Sequence, residues 1–231
     1  FHTASVLHKR VGTELVERLS LVDLSPRHIL DLGCGTGWCT AFLSQQFGRS
    51  AVVGLDLSEA MLRAGEKTTG IGFINGDAHR LPLADQCVDL IFSNLLLPWC
   101  DTQIVFSEAC RVLRPGGLFT FSSCGPDSLR ELAAAWAMVD EGSHVHTFSD
   151  MHDLGDSLVQ SGFCEPVMDV EMLTFTYRTL EALVTDLRAP GARNALSSRQ
   201  RGLRGSGQAQ RLKKAYESSP ADDGTLPVSG T

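Results

Sequence analysis

Residues 29–37, Ile29-Leu-Asp31-Leu-Gly33-Cys34-Gly35-Thr-Gly37, carry a short apolar run straight into a glycine-rich turn, and a helical pattern follows from Thr36 to Phe47. Glycine allows the backbone to take positive φ and a ligand to approach closely. The turn is expected to present its N–H groups and the positive end of the next helix. That arrangement suits a nucleotide-like cofactor, and the spacing narrows it. Gly33, Gly35 and Gly37 read G-x-G-x-G, with Asp31 two residues ahead, where dinucleotide sites read G-x-G-x-x-G. Three carboxylates stand at comparable places. Asp31 closes one apolar run, Asp56 closes Val52-Val53-Gly54-Leu55-Asp56, and Asp77 follows Ile74-Asn75-Gly76. An acid after a second strand can accept both hydroxyls of a ribose. An acid after a third can accept the amino group of adenine. Asn94, after a fourth run, falls where the remaining part of such a ligand would lie.

The elements that must position these groups alternate between strand and helix. Val6 to Leu24 reads as an amphipathic helix with Val11, Leu15, Val16 and Leu19 on one face. Strands are expected at His28–Leu32, Ala51–Leu55, Ile71–Asn75, Val88–Ser93 and Leu118–Ser123, the last entered through the turn Pro115-Gly116-Gly117. Helices are expected at Ser58–Glu66, capped by Ser58, and at Thr102–Leu113. This order predicts an α/β fold, a Rossmann-like doubly wound, mainly parallel sheet whose strand C-termini form one ligand edge. After Cys124 the rhythm changes. Helices are expected at Ser128–Val139, Asp153–Ser161, Thr179–Leu187 and Gln208–Tyr216, and one strand at Pro166–Tyr177. Residues 195–207 read as a loop, and Pro220–Thr231 shows no strong pattern. A single domain over 1–231 is expected, with a cofactor core at 1–125 and a helical cap, substrate region and basic segment at 126–231.

The chain has 231 residues, 43% of them hydrophobic, which is ample for a core, and no apolar run long enough to span a bilayer. Its seven cysteines contain no C-x-x-C pair. They read as reduced thiols of a cytoplasmic protein rather than a disulfide framework or a zinc site. His144, His146, His152 and Asp153 lack a convincing spacing for a third ligand, so no metal is expected. The charge is uneven. Residues 188–217 hold eight bases against Glu217 alone, a window of +7, so with −7 for the whole chain the remainder carries −14. Such a window suits either a solvated helical face or a docking patch for an acidic partner.

The G-x-G-x-G turn, the ordered acids and Arg111-Val-Leu-Arg-Pro-Gly-Gly117 resemble the class I S-adenosylmethionine methyltransferases over the first 125 residues. Further motifs narrow the resemblance. Phe92-Ser-Asn-Leu-Leu-Leu-Pro-Trp-Cys100, Asp150-Met-His-Asp-Leu-Gly155, Leu173-Thr-Phe-Thr-Tyr177 and Asp186-Leu-Arg-Ala-Pro-Gly-Ala-Arg-Asn194 are similar to the malonyl-acyl-carrier-protein O-methyltransferases of early biotin synthesis. The resemblance implies S-adenosylmethionine as cofactor, held by Asp31, Gly33, Cys34, Gly35, Gly37, Asp56, Leu57, Asp77, Ala78 and Asn94. It implies methyl transfer to the free carboxylate of a malonyl thioester on an acidic acyl carrier protein or coenzyme A, with no role for nucleic acid or membrane.

A carboxylate of pKa about 4 is already ionised at neutral pH, so no general base is needed. The site must instead hold an oxygen roughly 3–3.5 Å from the methyl and exclude water. Arg188, then Arg193, are expected to orient the malonyl carboxylate, because a guanidinium matches that group. Trp99 and Tyr177 are expected to line the pocket. Against the family pattern, Phe1 stands near a frequent Tyr, His8 replaces a frequent Gln, Pro98 a Gln or His, and Pro190 an aliphatic residue. The family's further N-terminal segment and its last antiparallel strand are expected to be missing, with reduced stability and turnover. Two other readings share these features: an assembly factor resembling a protein-arginine hydroxylase, and an inactive module that binds S-adenosylmethionine.

Overall fold

The computed structural model describes residues 6–69, 71–140, 148–188, 206–217 and 226–230. They fall into two compact units, one of residues 8–123 with 152–168, the other built mainly from 124–151 and 169–231. The segment 152–168 therefore packs in the larger unit, although it follows the 1–125 core in sequence.

The larger unit is organised on five parallel strands: β1 (His28–Leu32), β2 (Ala51–Asp56), β3 (Phe73–Asn75), β4 (Val88–Asn94) and β5 (Leu113–Ser122), in the order β3-β2-β1-β4-β5. The helices are α1 (Val6–Arg18), α2 (Trp38–Gln46), α3 (Glu59–Thr69), α4 (Thr102–Val112) and, later in the chain, α6 (Met151–Gln160). The chain steps outward from β1 to β3, then returns to the other side of β1. Ligands bind beyond the strand C-termini where the order reverses in this way. Asp31 pairs with Gly54 on one side and Phe92 on the other, so the C-terminal ends of β1, β2 and β4 lie together.

Both faces of the sheet are covered, which explains why the strands read as nearly continuous apolar runs. Leu30, Leu32, Leu55 and Ile91 face Val105, Phe106, Ala109, Leu154 and Leu158. Ile29, Leu90 and Phe92 face Val16, Leu19 and Leu43. A register shift between Val88 and Leu90 puts Val88 on the same face as Ile91. It leaves Asp89 to accept the backbone N–H groups of Arg27 and His28, each at 2.8 Å, and the Arg114 guanidinium at 2.7 Å. Helix ends follow local chemistry. Asp101 caps α4 by accepting from Ile104 N, and Gly162, at φ +99°, ends α6 with Phe163 N bonded back to Leu158 O.

The smaller unit contains α5 (Arg130–Ala137), β6 (Leu173–Tyr177), α7 (Leu180–Arg188), α8 (Ser206–Glu217) and β7 (Leu226–Gly230). Leu132, Ala135, Leu180, Leu183, Leu212 and Tyr216 form its core. Two expectations are corrected here. The strand expected over Pro166–Tyr177 forms only at Leu173–Tyr177, because β7 offers partners to those five residues alone. The last stretch, expected to be patternless, contains β7, which pairs antiparallel with β6 in a separate two-stranded sheet.

Candidate functional site

The glycine turn after β1 takes left-handed φ at Gly33 (+76°), Gly35 (+57°) and Gly37 (+77°). Three different demands fix these glycines. A Cβ on Gly33 would meet the Leu96 side chain at 2.9 Å, and one on Gly37 would meet the Phe73 ring at 2.4 Å. A Cβ on Gly35 would find only Met61, at 3.8 Å. Gly35 is thus the glycine whose missing side chain leaves open space, a cradle a ligand can enter. The N–H groups behave differently from expectation. Those of Gly33 and Cys34 donate to Leu55 O at 2.8 and 3.0 Å, and that of Gly35 donates to Asp56 Oδ2 at 2.8 Å. The turn spends these donors on β2, which locks its shape, and what it offers a ligand is room.

Asp31 stands behind the turn. It is 1% exposed, and its Oδ2 accepts the Thr40 hydroxyl at 2.5 Å, tying β1 to α2. Burial pushes its carboxyl up to about 7, against the Thr40 bond and with added repulsion from Asp56. Burial also raises the Cys34 and Cys39 thiols above their ordinary range, with the charge of Asp31 adding to both. These thiols are packing groups, not nucleophiles.

Asp56, at the end of β2, also accepts Ser58 N at 2.8 Å through Oδ1. Leu57 beside it is 72% exposed, an apolar surface next to a polar acceptor. Asn75 fixes that corner by donating to Asp56 O (3.0 Å) and Leu57 O (2.9 Å). Asp77 follows β3, and its Oδ1 accepts from His79 N (2.9 Å) and His79 Nδ1 (2.7 Å). The backbone bond from His79 and then the ring bond hold the Asp77 carboxyl below its usual range. Ala78 is buried beneath. Arg111 and Glu108 of α4 clamp the following loop. Glu108 accepts Leu81 N, and Arg111 donates to Leu81 O, Leu83 O and Asp85.

At the end of β4, Asn94 donates to His8 O and accepts from Ser122 Oγ, both at 2.9 Å. It knits α1, β4 and β5 together at the site's edge, a bracing role beyond the ligand contact expected of it. Leu95 then takes φ +56°, rare for a side chain of this type, held by bonds from its N–H to Ser122 O and Ser122 Oγ at 3.1 Å. This kink turns Leu96 onto Gly33. Trp99, in the short turn Leu97–Trp99, is 41% exposed.

The structure therefore gathers Asp31, Gly33, Cys34, Gly35, Gly37, Asp56, Leu57, Asp77, Ala78 and Asn94 at or just beyond the C-terminal ends of β1 to β4. Tyr177 lies on β6 in the other unit, where its hydroxyl donates to Asp186 Oδ2 at 2.6 Å and its ring packs in the α5–α7–α8 core. Burial, then the Asp186 carboxylate, raise its pKa. Arg193, Phe1, Pro190, His144 and His146 lie outside the described residues, as does the side chain of Arg188, which ends α7. Among the described residues no group of three or more His, Cys, Asp or Glu could hold a metal ion, and no helix is long and apolar enough to cross a membrane.

Four contributors escaped the sequence reading: Thr40, His79, Leu95 and Gly12. Gly12 carried a signal, a glycine inside a helical pattern. A Cβ there would sit 2.8 Å from Cys39 Sγ and 2.9 Å from Asn94 Nδ2. The other three gave none: Thr40 and Leu95 act through partners distant in sequence, and His79 couples its neighbour Asp77 to the distant Asp101.

The donor set fits an adenosyl ligand. It combines an open glycine, an exposed leucine following one strand-end acid, and a second acid with Oδ2 unbonded among the described residues. Residues 30–121 match a family described as a methyltransferase domain. The chain is 41% identical, over 99% of itself and 80% of the relative, to a protein of Methylovorus sp. (strain MP688) named malonyl-[acyl-carrier protein] O-methyltransferase. It is also 41% identical, over 99% of itself and 79% of the relative, to malonyl-[acyl-carrier protein] O-methyltransferase 1 of Coxiella burnetii. Among solved structures, the YcgJ protein from Bacillus subtilis superposes with a TM-score of 0.65 at 14% identity, covering 94% of each chain. An S-adenosylmethionine dependent methyltransferase from Mesorhizobium loti gives 0.52 at 21% identity, covering 95% of this chain and 96% of that one. At such identities the structural likeness speaks for the fold alone.

Proposed function

The chain belongs to the malonyl-[acyl-carrier protein] O-methyltransferases, and from that premise we propose that it methylates the free carboxylate of a malonyl group carried as a thioester on acyl carrier protein. S-adenosylmethionine, when bound, supplies an electrophilic methyl group on a sulfonium. The observation that carries the cofactor reading is the open space at Gly35, whose N–H donates to Asp56, with exposed Leu57 following that acid and Asp77 just past the end of the next strand. In this reading Asp56 accepts the ribose hydroxyls, Leu57 and Ala78 pack against the adenine, and Asp77 accepts its amino group. Gly33, Cys34 and Gly37 shape the turn. Asp31 holds α2 through Thr40, and Asn94 braces the strand end nearest the methionine moiety.

The chain's own residues need not move a proton to start the reaction, because the nucleophile is an ionised carboxylate at neutral pH. Their task is to orient it and to keep water from solvating it. Arg188 and Arg193 are the proposed orienting cations, with Trp99 as the proposed lining residue; Tyr177, packed in the smaller unit's core with its hydroxyl on Asp186, serves packing instead. A pairing that left both carboxylate oxygens gripped would favour the ground state, so one oxygen stays free for attack. The 1–125 segment carries the cofactor, and 126–231 supplies the substrate region and the basic segment that meets an acidic carrier in the cytoplasm. The product, a malonyl methyl ester, suits priming of the pimeloyl chain of biotin.

Relatives 34–41% identical that carry the methyltransferase name favour this reading over a hydroxylase-like factor or an inactive binding module. The test is intact-mass spectrometry of malonyl-acyl carrier protein after incubation with the chain and S-adenosylmethionine. A gain of one methylene, absent with acetyl-loaded carrier, is the expected result. No gain, with cofactor binding intact, would move the reading to the binding module.

A further inference from the structure

Any residue but proline at position 79 could give Asp77 the backbone bond it receives, since a turn closed on Oδ1 needs only an N–H two residues on. The imidazole adds two things that the turn does not need. Nδ1 places a second donor on the same oxygen, at 2.7 Å, and Nε2 accepts the backbone N–H of Asp101 at 2.9 Å. The Asp101 bond requires an unprotonated Nε2, so in the neutral ring Nδ1 carries the hydrogen and donates to Asp77. One tautomer satisfies both contacts. Asp101 in turn caps α4 and follows the turn containing Trp99.

The strap formed this way is long. β3 and β4 are separated in the sheet by β2 and β1, three strand spacings or about 14 Å. His79 joins the loop that leaves β3 to the loop that leaves β4, across the edge where Gly35, Asp56 and Leu57 stand. Two residues on, the same loop is held at Leu81 by Glu108 and Arg111, so the backbone that carries the ring is itself braced.

We propose that His79 is a positioning residue of the cofactor site, occupying Oδ1 of Asp77 twice so that Oδ2 alone is presented to the 6-amino group of adenine. This rests on the reading of Asp77 as the amino acceptor. It makes His79 a determinant of base specificity, because a carboxylate free to rotate would accept from water or from itself-adjacent groups as readily as from the ligand.

The test is titration of the full chain with S-adenosylhomocysteine and with its 6-oxo, inosine-containing analogue. The wild type is expected to prefer the 6-amino ligand. His79→Ala lowers that preference about tenfold, the scale of one hydrogen bond to a charged group. His79→Asn, whose amide can still donate to Oδ1, restores most of it. His79→Gln, which keeps an acceptor for Asp101 but offers Asp77 no ring donor, behaves as the alanine variant does and serves in its place if that variant fails to fold. Equal weakening of both ligands in the alanine and glutamine variants, with the ratio intact, makes His79 a merely structural group and overturns the proposal. Asp77→Asn separates the two ideas. It should erase or invert the preference, and an unchanged preference there overturns the role of Asp77 itself.

Discussion

Two glycines in one turn should fail in different ways. Gly35→Ala must hold an alanine at φ +57° in open space, a cost of about 1 kcal/mol from the left-handed backbone. Its methyl would occupy the cradle, so S-adenosylhomocysteine affinity by calorimetry should drop far more than the melting temperature. Gly37→Ala drives a methyl into the Phe73 ring on top of the same backbone cost, and a loss of about 3 kcal/mol in chemical denaturation is expected. If both variants lost stability and affinity in parallel, Gly35 would be a folding residue like its neighbour. The acids differ too. The folded Asp31 carboxyl titrates near 7, above its ordinary value, so from about pH 4 to 7 the unfolded chain gives up a proton that the native state keeps. Asp31 therefore subtracts stability progressively across that window, and Asp31→Asn should flatten the fall in unfolding midpoint between about pH 4 and 7. Asp89 has the opposite sign. Burial raises it, but Arg114 and the His28 and Arg27 N–H groups outweigh that and leave it at about 2, so its contribution stands above about pH 4 and is lost as the pH falls towards 2.

The same contrast between local and distant causes governs the elements. β1 forms over His28–Leu32 as the sequence predicts, because four of its five residues are buried and the run needs no other information. Asp56 and Asp77 were legible for a related reason, since a strand end is a place that periodicity locates. Pro166–Met172 also alternates, yet Val167 is 93% exposed and only Met168 packs against the core, because without a partner strand alternation does not make a strand. β6 and β7 pair across some fifty residues of chain, and no local pattern specifies such a pairing. Leu95 and Thr40 were invisible likewise, as each takes its role from a group on another strand, and so was the bond from Asp101 N that fixes the His79 ring. The α4 clamp yields a prediction at this scale. Arg111 spreads its guanidinium over Glu108, Asp85 and two carbonyls, a pattern that an ammonium cannot copy. Arg111→Lys should cost about 2 kcal/mol and speed amide exchange at residues 80–86, with weaker cofactor binding as the loop behind Asp77 loosens. Unchanged exchange there would mean that the loop is held by its apolar side chains, Leu81 and Leu83.

At the scale of the molecule the uneven charge has a consequence for kinetics. The −7 chain concentrates +7 in residues 188–217, so an acidic partner meets repulsion from most of the surface and attraction from one segment. Within α8 the charges are not equivalent. Lys213 is paired with Glu181 at 2.9 Å and lies near Glu217, so its field is largely spent, whereas Arg211 and Lys214 are exposed. Reversal of Arg201, Arg204 and Arg211 to Glu changes the segment by six charges. If the segment steers an acidic carrier, KM for malonyl-acyl carrier protein should rise by about tenfold or more with kcat little changed, and KM for malonyl-coenzyme A should move much less. Salt supplies the internal control. At 0.15 M the Debye length is about 8 Å, and raising the ionic strength further should weaken the wild type towards the variant while leaving the variant nearly flat. Equal KM increases on both substrates would place these arginines at the thioester's shared pantetheine arm or in the fold itself, and the steering role would fall.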